Sequence, residues 1–348
     1  MSRVSFLEVG EPSTVGVADV SSPAVRNRPW TWLSPKNVGA VYVLIVIIVV
    51  FSVWAPDTFP AIDTVKVILN QNAVTGIIAL SLVVPLSAGV FDLSIGYVMG
   101  LASIVCAYLL VNTALPVPVI VASALIVSLF AGTINAALVV KLGIDSFIGT
   151  LGSGAIALAA IILISNQQAI TGDRLGKGFA DIATSSVGGI TAPVILMVVV
   201  AAVLWWLMDH TATGRRIYAT GFNAEAARLT GVRTGRLRTA SLLTSSVLAG
   251  VAGVVICAQV SSGSPDIGPP YLLNAFATAF LGATQLRSGR FNAWGTVLAV
   301  LVLGTGQTGL SLVGAPVWGN SMFTGLVLLG ALAVTKLQRR NRHTTRTA

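Results

Sequence analysis

The residues able to do chemistry are few, and most stand at the edges of long apolar stretches. His210 and His343 fall in polar segments without the nucleophile, base and orienting group that acyl transfer needs, so an intramembrane hydrolase has no site. Gly176-Lys177-Gly178 is the nearest thing to a phosphate loop. It lacks the following Ser or Thr and the upstream glycine spacing, so ATP, if used, must be bound by another subunit. Cys106 and Cys257 lie inside apolar runs and read as small buried hydrophobes, not as a disulfide or metal site.

What remains is neutral hydrogen-bonding chemistry. Amides interrupt the apolar runs at Asn70, Gln71, Asn72, Asn135, Gln167, Gln168, Gln259 and Gln307. An amide both donates and accepts, so a subset of these could line a path for a neutral, hydroxyl-rich solute; the plainer role is to hold helices together. Asp92 marks the boundary of one run. At the bilayer centre it would cost roughly 2.5–3.5 kcal/mol, so the sequence places it at the inner interface. There, as N-cap of the helix that follows, it would contribute about 1 kcal/mol.

These groups are carried by a chain of 348 residues that is 55% hydrophobic and only 9% charged, with a mean hydropathy of +0.87. Soluble domains are about a quarter charged, so this is an all-α polytopic membrane protein. The formal charge of +9 could suggest nucleic acid, but the basic residues sit at span ends and in loops, where lipid headgroups are the partner.

Charge-free runs define ten spans between residues 38 and 335, flanked by a polar, disordered tail at 1–37 and a basic tail at 336–348. The boundaries fall at 38–55, 67–91, two spans within 93–140, 146–170, 191–208, 239–265, 267–286 and two within 291–335. With both termini cytoplasmic, 18 basic residues face inward and only Lys66, Arg174 and Lys177 face outward, as the positive-inside rule requires. A weak repeat aligns Gly89–Gly96 with Gly282–Gly289 at an offset of 193, which would carry spans one to four onto seven to ten in the same orientation.

The large inner loop, 209–238, holds a short helix signal. Asn223 can cap the first turn, Glu225 stands where the helix dipole favours an anion, and Gly231 offers a left-handed stop. About seven helical residues cannot hold themselves in water, so this helix needs a surface to pack on. Ala226 and Ala227 would let a partner backbone approach, and Leu229 gives an apolar anchor.

Three stretches resemble one family, the ribose-type permease subunits of bacterial ABC importers for simple sugars. The first is the turn Gly89-Val-Phe-Asp92-Leu93-Ser94-Ile-Gly96, which has one residue more between Gly89 and Asp92 than the family's pattern. The second is Gly132-Thr-Ile-Asn135 with Phe147 to Gly152. The third is the inner loop, where Glu225-Ala226-Ala227 through Leu229 and Gly231 is similar to the coupling motif of ABC permeases. The resemblance implies a permease of the bacterial inner membrane, paired as a homodimer, without a cofactor of its own. It would receive a ribose-like monosaccharide from an extracytoplasmic binding protein. A separate ATPase, gripping Glu225, Ala226, Ala227, Leu229 and Gly231, would bind the ATP. Asn70, Gln71, Asn72, Asn135 and Gln307 are the candidate path residues; a passive facilitator or secondary transporter is the alternative reading.

Overall fold

The computed structural model describes residues 39–344 apart from 177, 287 and 288; the expectations for the 1–37 tail, Lys177 and Arg287 lie outside them. Helices dominate. In chain order they are α1 (Gly39–Trp54), α2 (Ile62–Ser81), α3 (Val83–Ser87), α4 (Ile95–Asn112), α5 (Val117–Ala136), α6 (Ser146–Ser165), α7 (Asp173–Gly176) and α8 (Asp181–Thr184). A two-stranded hairpin, β1 (Ser186–Val187) and β2 (Ile190–Thr191), precedes α9 (Ala192–Trp205). Then come α10 (Ala212–Phe222), α11 (Ala224–Leu229), α12 (Thr234–Val260), α13 (Gly268–Ala283), α14 (Ala293–Leu312) and α15 (Val317–Thr344). Single π turns extend α5 to Lys141 and α9 to His210.

Among the described residues, seven helices are long and apolar enough to cross a membrane. The chain is therefore a polytopic helical membrane protein. Burial sorts the spans into a centre and a periphery. The apolar windows within Ile62–Ser87, Ile95–Asn112 and Thr234–Val260 are each 67% buried, whereas that of Val117–Lys141 is 22% buried and presents its apolar surface outward. α12 runs through the middle, packed on α2, α4 and α5. Small residues allow this closeness: a Cβ on Gly253 would meet the Met99 carbonyl oxygen at 2.2 Å. Gly268 on α13 works in the same way, since a Cβ there would stand 2.1 Å from the Gly96 carbonyl oxygen.

Several boundaries differ from those read in the sequence, each for a local reason. The second span breaks at Leu82, just before Pro85, which has no N–H to continue the ladder. The fifth stops at Ser165, where Asn166 and Gln167 turn left-handed, so Gln167 and Gln168 lie in an exposed turn and not in a span. α12 begins at Thr234, five residues before the charge-free run, so its first turns carry Arg236 and Arg238. The polar loop between α6 and α9 is tied down. Arg174 donates to the carbonyls of Leu110 (3.3 Å), Thr113 and Leu115 (2.9 Å), satisfying acceptors at and beyond the end of α4.

The repeat does not hold residue by residue. Gly89 has φ +73° beyond α3 while Gly282 lies within α13, and Gly96 lies within α4 while Gly289 has φ +82°.

Candidate functional site

The 209–238 loop folds as two short helices. Thr211 caps α10 by accepting from the Gly214 N–H at 3.2 Å. Ile217 is the large apolar side chain that α10 buries, while Tyr218 donates its hydroxyl to the Phe291 carbonyl at 2.7 Å, pinning α10 to the turn before α14. Sequence reasoning missed this helix; its signals were Thr211 three residues before Gly214 and the buried positions Ile217 and Thr220 on one face.

α11 follows at once. The Asn223 side chain accepts from the N–H groups of Glu225 (3.1 Å) and Ala226 (3.0 Å), and Gly231 sits at φ +84° with the Val232 N–H returning to the Ala227 carbonyl. That is a capped start and a left-handed stop around six residues. Ala227 is the residue α11 buries; Leu229, expected as an anchor, is 83% exposed, as is Phe222 at 86%. An apolar pair beside Glu225 therefore faces outward from the protein.

α10 also touches the turn that follows α3. A Cβ on Gly89 would meet the Gly221 α-carbon at 3.3 Å, and Gly89 adopts φ +73°, so this close approach requires glycine. The turn continues through Phe91, Asp92, Leu93 and Ser94. Its donors are met from α6: Ser146 Oγ accepts from the Phe91 N–H at 3.1 Å and Thr150 Oγ1 from the Leu93 N–H at 2.9 Å.

Asp92 is not the expected helix cap at an interface. Ser94 holds the N-cap position of α4 and no side chain caps it, while Asp92 is fully buried. Its Oδ1 accepts from both the N–H (3.1 Å) and the hydroxyl (2.6 Å) of Ser94. Asn135 Nδ2 donates to the same hydroxyl at 2.8 Å, and the Ser153 hydroxyl donates to Asn135 Oδ1. The result is a buried chain joining the turn, α5 and α6. Ser245 on α12 lies beside the same carboxyl group. The turn folds inward beneath α10 instead of ending at the lipid surface, which is why a local capping signal misplaced it.

The expected path residues separate into four fates. Asn70 latches the β1–β2 hairpin, donating to the Gly189 carbonyl (3.1 Å) and accepting from the N–H and hydroxyl of Thr191 (3.0 Å each). Asn135 belongs to the Asp92 chain, and Gln71 is exposed. Only Asn72 and Gln307 come together, in a cleft among α2, α13 and α14. Thr75, Asn274 and Thr278 join them there, flanked by Val300 and Leu303. The spacings Asn72/Thr75 and Asn274/Thr278, three and four apart, were the unread signal. Asn72 Nδ2 donates to the Ile68 carbonyl at 2.8 Å, Gln307 Nε2 to Thr324 Oγ1 at 2.9 Å and Thr278 to the Asn274 carbonyl at 2.7 Å, which among the described residues leaves amide oxygens and the Asn274 side chain for other partners. No ionisable side chain lines the cleft, and it is too narrow for a water molecule.

A charge-poor helical bundle with an uncharged polar cleft and a capped helix in one loop is an architecture that suits a membrane permease. The chain belongs to the family described as branched-chain amino acid transport system / permease component, which it matches over residues 65–332. Among curated proteins it is 30% identical to the ribose import permease protein RbsC of Haemophilus influenzae, over 83% of this chain and 90% of the relative. It is 28% identical to the D-allose transport system permease protein AlsC of Escherichia coli, over 91% and 97% respectively. To the fructose import permease protein FrcC of Rhizobium meliloti it is 29% identical, over 88% and 87%. No solved structure matches the chain.

Proposed function

We propose that this chain is the membrane-spanning subunit of an ABC importer for a simple sugar in the bacterial cytoplasmic membrane. The observation that carries the choice of solute is the cleft of Asn72, Thr75, Asn274, Thr278 and Gln307. A free amino acid is a zwitterion and calls for charged or strongly dipolar partners; a sugar presents hydroxyls, each of which suits an amide or a threonine. The names of the ribose, allose and fructose permeases support the same solute class.

The cleft is closed, so a sugar ring can pass only if α2, α13 and α14 part. Work for that separation would come from a separate ATPase pressing on α11, whose exposed Glu225 and Leu229 are placed for a partner. The sugar would arrive from an extracytoplasmic binding protein. The wider architecture in this proposal is ten crossings with both termini cytoplasmic, arranged as a parallel repeat and paired as a homodimer. α1 and α13, at 16 residues each, supply two of the three additional spans, and the apolar Val317–Ala333 part of α15 supplies the third.

The test is uptake of labelled sugars in cells that carry the cognate ATPase and binding protein. Asn274→Ala and Thr278→Val should each lower uptake about tenfold while the chain stays in the membrane, since each removes a polar contact of roughly 1.4 kcal/mol. Full uptake in both variants, or wild-type uptake in cells lacking the ATPase, would overturn the proposal.

A further inference from the structure

Three arginines from two helices converge beside α11. Arg216 on α10 and Arg233 and Arg236 at the start of α12 line one hollow of about 410 Å³, together with Val232 and Leu237. None of the three guanidinium groups makes an ion pair among the described residues, where Lys66–Asp63 is the one salt bridge. No acidic side chain lines the hollow. All three are exposed, so water and salt screen their mutual repulsion in part, and an anion seated in the hollow would relieve what remains.

We propose that this hollow binds a phosphate group, and that its natural source is the headgroup of an anionic phospholipid of the inner leaflet. Guanidinium forks match phosphate oxygens two at a time. α12 adds to the field, because its 27 residues start without any side-chain cap and leave N–H groups at the positive end of the helix dipole. Position favours lipid over a soluble anion. α12 is charge-free from Thr239 onward, so the arginines sit where that helix passes from the loop into the apolar bundle. The half-buried Val232 and Leu237 give the hollow an apolar wall against which a glycerol and the first acyl carbons can lie. General attraction of inner-face arginines to lipid predicts no dependence on which arginine is removed; a built hollow does.

The full chain, purified in neutral detergent and stripped of lipid, is titrated with phosphatidylglycerol, phosphatidylcholine and inorganic phosphate, and bound lipid is counted by native mass spectrometry. Phosphatidylglycerol should bind and phosphatidylcholine should not compete. Arg216→Gln, Arg233→Gln and Arg236→Gln should each weaken binding about fivefold, as expected for roughly 1 kcal/mol per basic residue, while Arg215→Gln, outside the hollow, should not. Displacement of the lipid by inorganic phosphate at comparable concentration, with the same arginine dependence, would keep the phosphate site and reassign its source to free anion. Equal loss with Arg215→Gln would overturn the proposal in favour of diffuse charge. Unchanged lipid binding in the three variants, with loss of ATPase co-purification, would overturn it in favour of an acidic protein partner. The readout is binding to the isolated chain, so its failure leaves the sugar-uptake reading intact.

Discussion

Gly221 and Ser87 touch backbone to backbone: a Cβ on Gly221 would stand 2.0 Å from the Ser87 carbonyl oxygen. Through this contact α10 bears directly on the turn between α3 and α4. Gly221→Ala should force α10 off that turn at a cost of about 1–3 kcal/mol, and uptake should fall at least tenfold while the chain remains in the membrane. Gly235→Ala is the control, since its Cβ would meet only Val140 Cγ1, at 3.4 Å. Normal uptake in Gly221→Ala would show that the contact transmits nothing.

Gly231 offers a cleaner separation of strain from crowding. Its φ is +84° and a Cβ there would meet nothing within 4 Å, so a substitution is felt by the backbone alone. Gly231→Val should cost about 1–2 kcal/mol locally, loosen the end of α11 and reduce both ATPase co-purification and uptake. Gly231→Asn, which tolerates the left-handed region, should retain most of both. Equal behaviour of the two variants would refute this account.

At Asp92 the hydrogen-bond chain makes the prediction. Asp92→Asn keeps an oxygen for the Ser94 N–H and hydroxyl, so abundance and thermal stability in detergent should stay near wild type. Asp92→Leu leaves both Ser94 donors unmet in a buried site and should cost about 2–4 kcal/mol. The fluorescence melting temperature of the purified chain reads the difference; a Leu variant as stable as the Asn variant would mean that the chain of bonds carries no stability.

Asn70 tests whether an amide near a span end serves the solute or the scaffold. Asn70→Ala removes the bonds that hold the hairpin turn and should lower stability by about 1–2 kcal/mol without changing the KM for sugar. A raised KM at unchanged stability would return Asn70 to the solute path.

What the sequence revealed was chemistry confined to a few neighbouring residues. Asn223 and Gly231 bracket a six-residue helix, and both signals lie within four residues of the helix ends they control. The capping expected of Asp92 is carried out elsewhere by the same chemistry, by Asp145 on α6 and Asn292 on α14. Its own role depends on Asn135, 41 residues from Ser94, and no local pattern reveals such a pairing. The cleft was hidden for another reason. The central spans are apolar on nearly every face, so periodicity does not say which face of α2 meets α13 and α14, and Asn274 and Thr278 carry no mark that sets them apart from packing residues.

α11 rests on Ala227, while Glu225, Ala226, Arg228 and Leu229 are exposed. If the ATPase grips this helix as proposed, the residues that hold it to its own subunit and those that meet the partner are different residues. A cell with many importers must keep each motor matched to its own channel, and that match would then be rewritten by changing exposed side chains alone. Duplicated copies of such a subunit would acquire new motors without refolding.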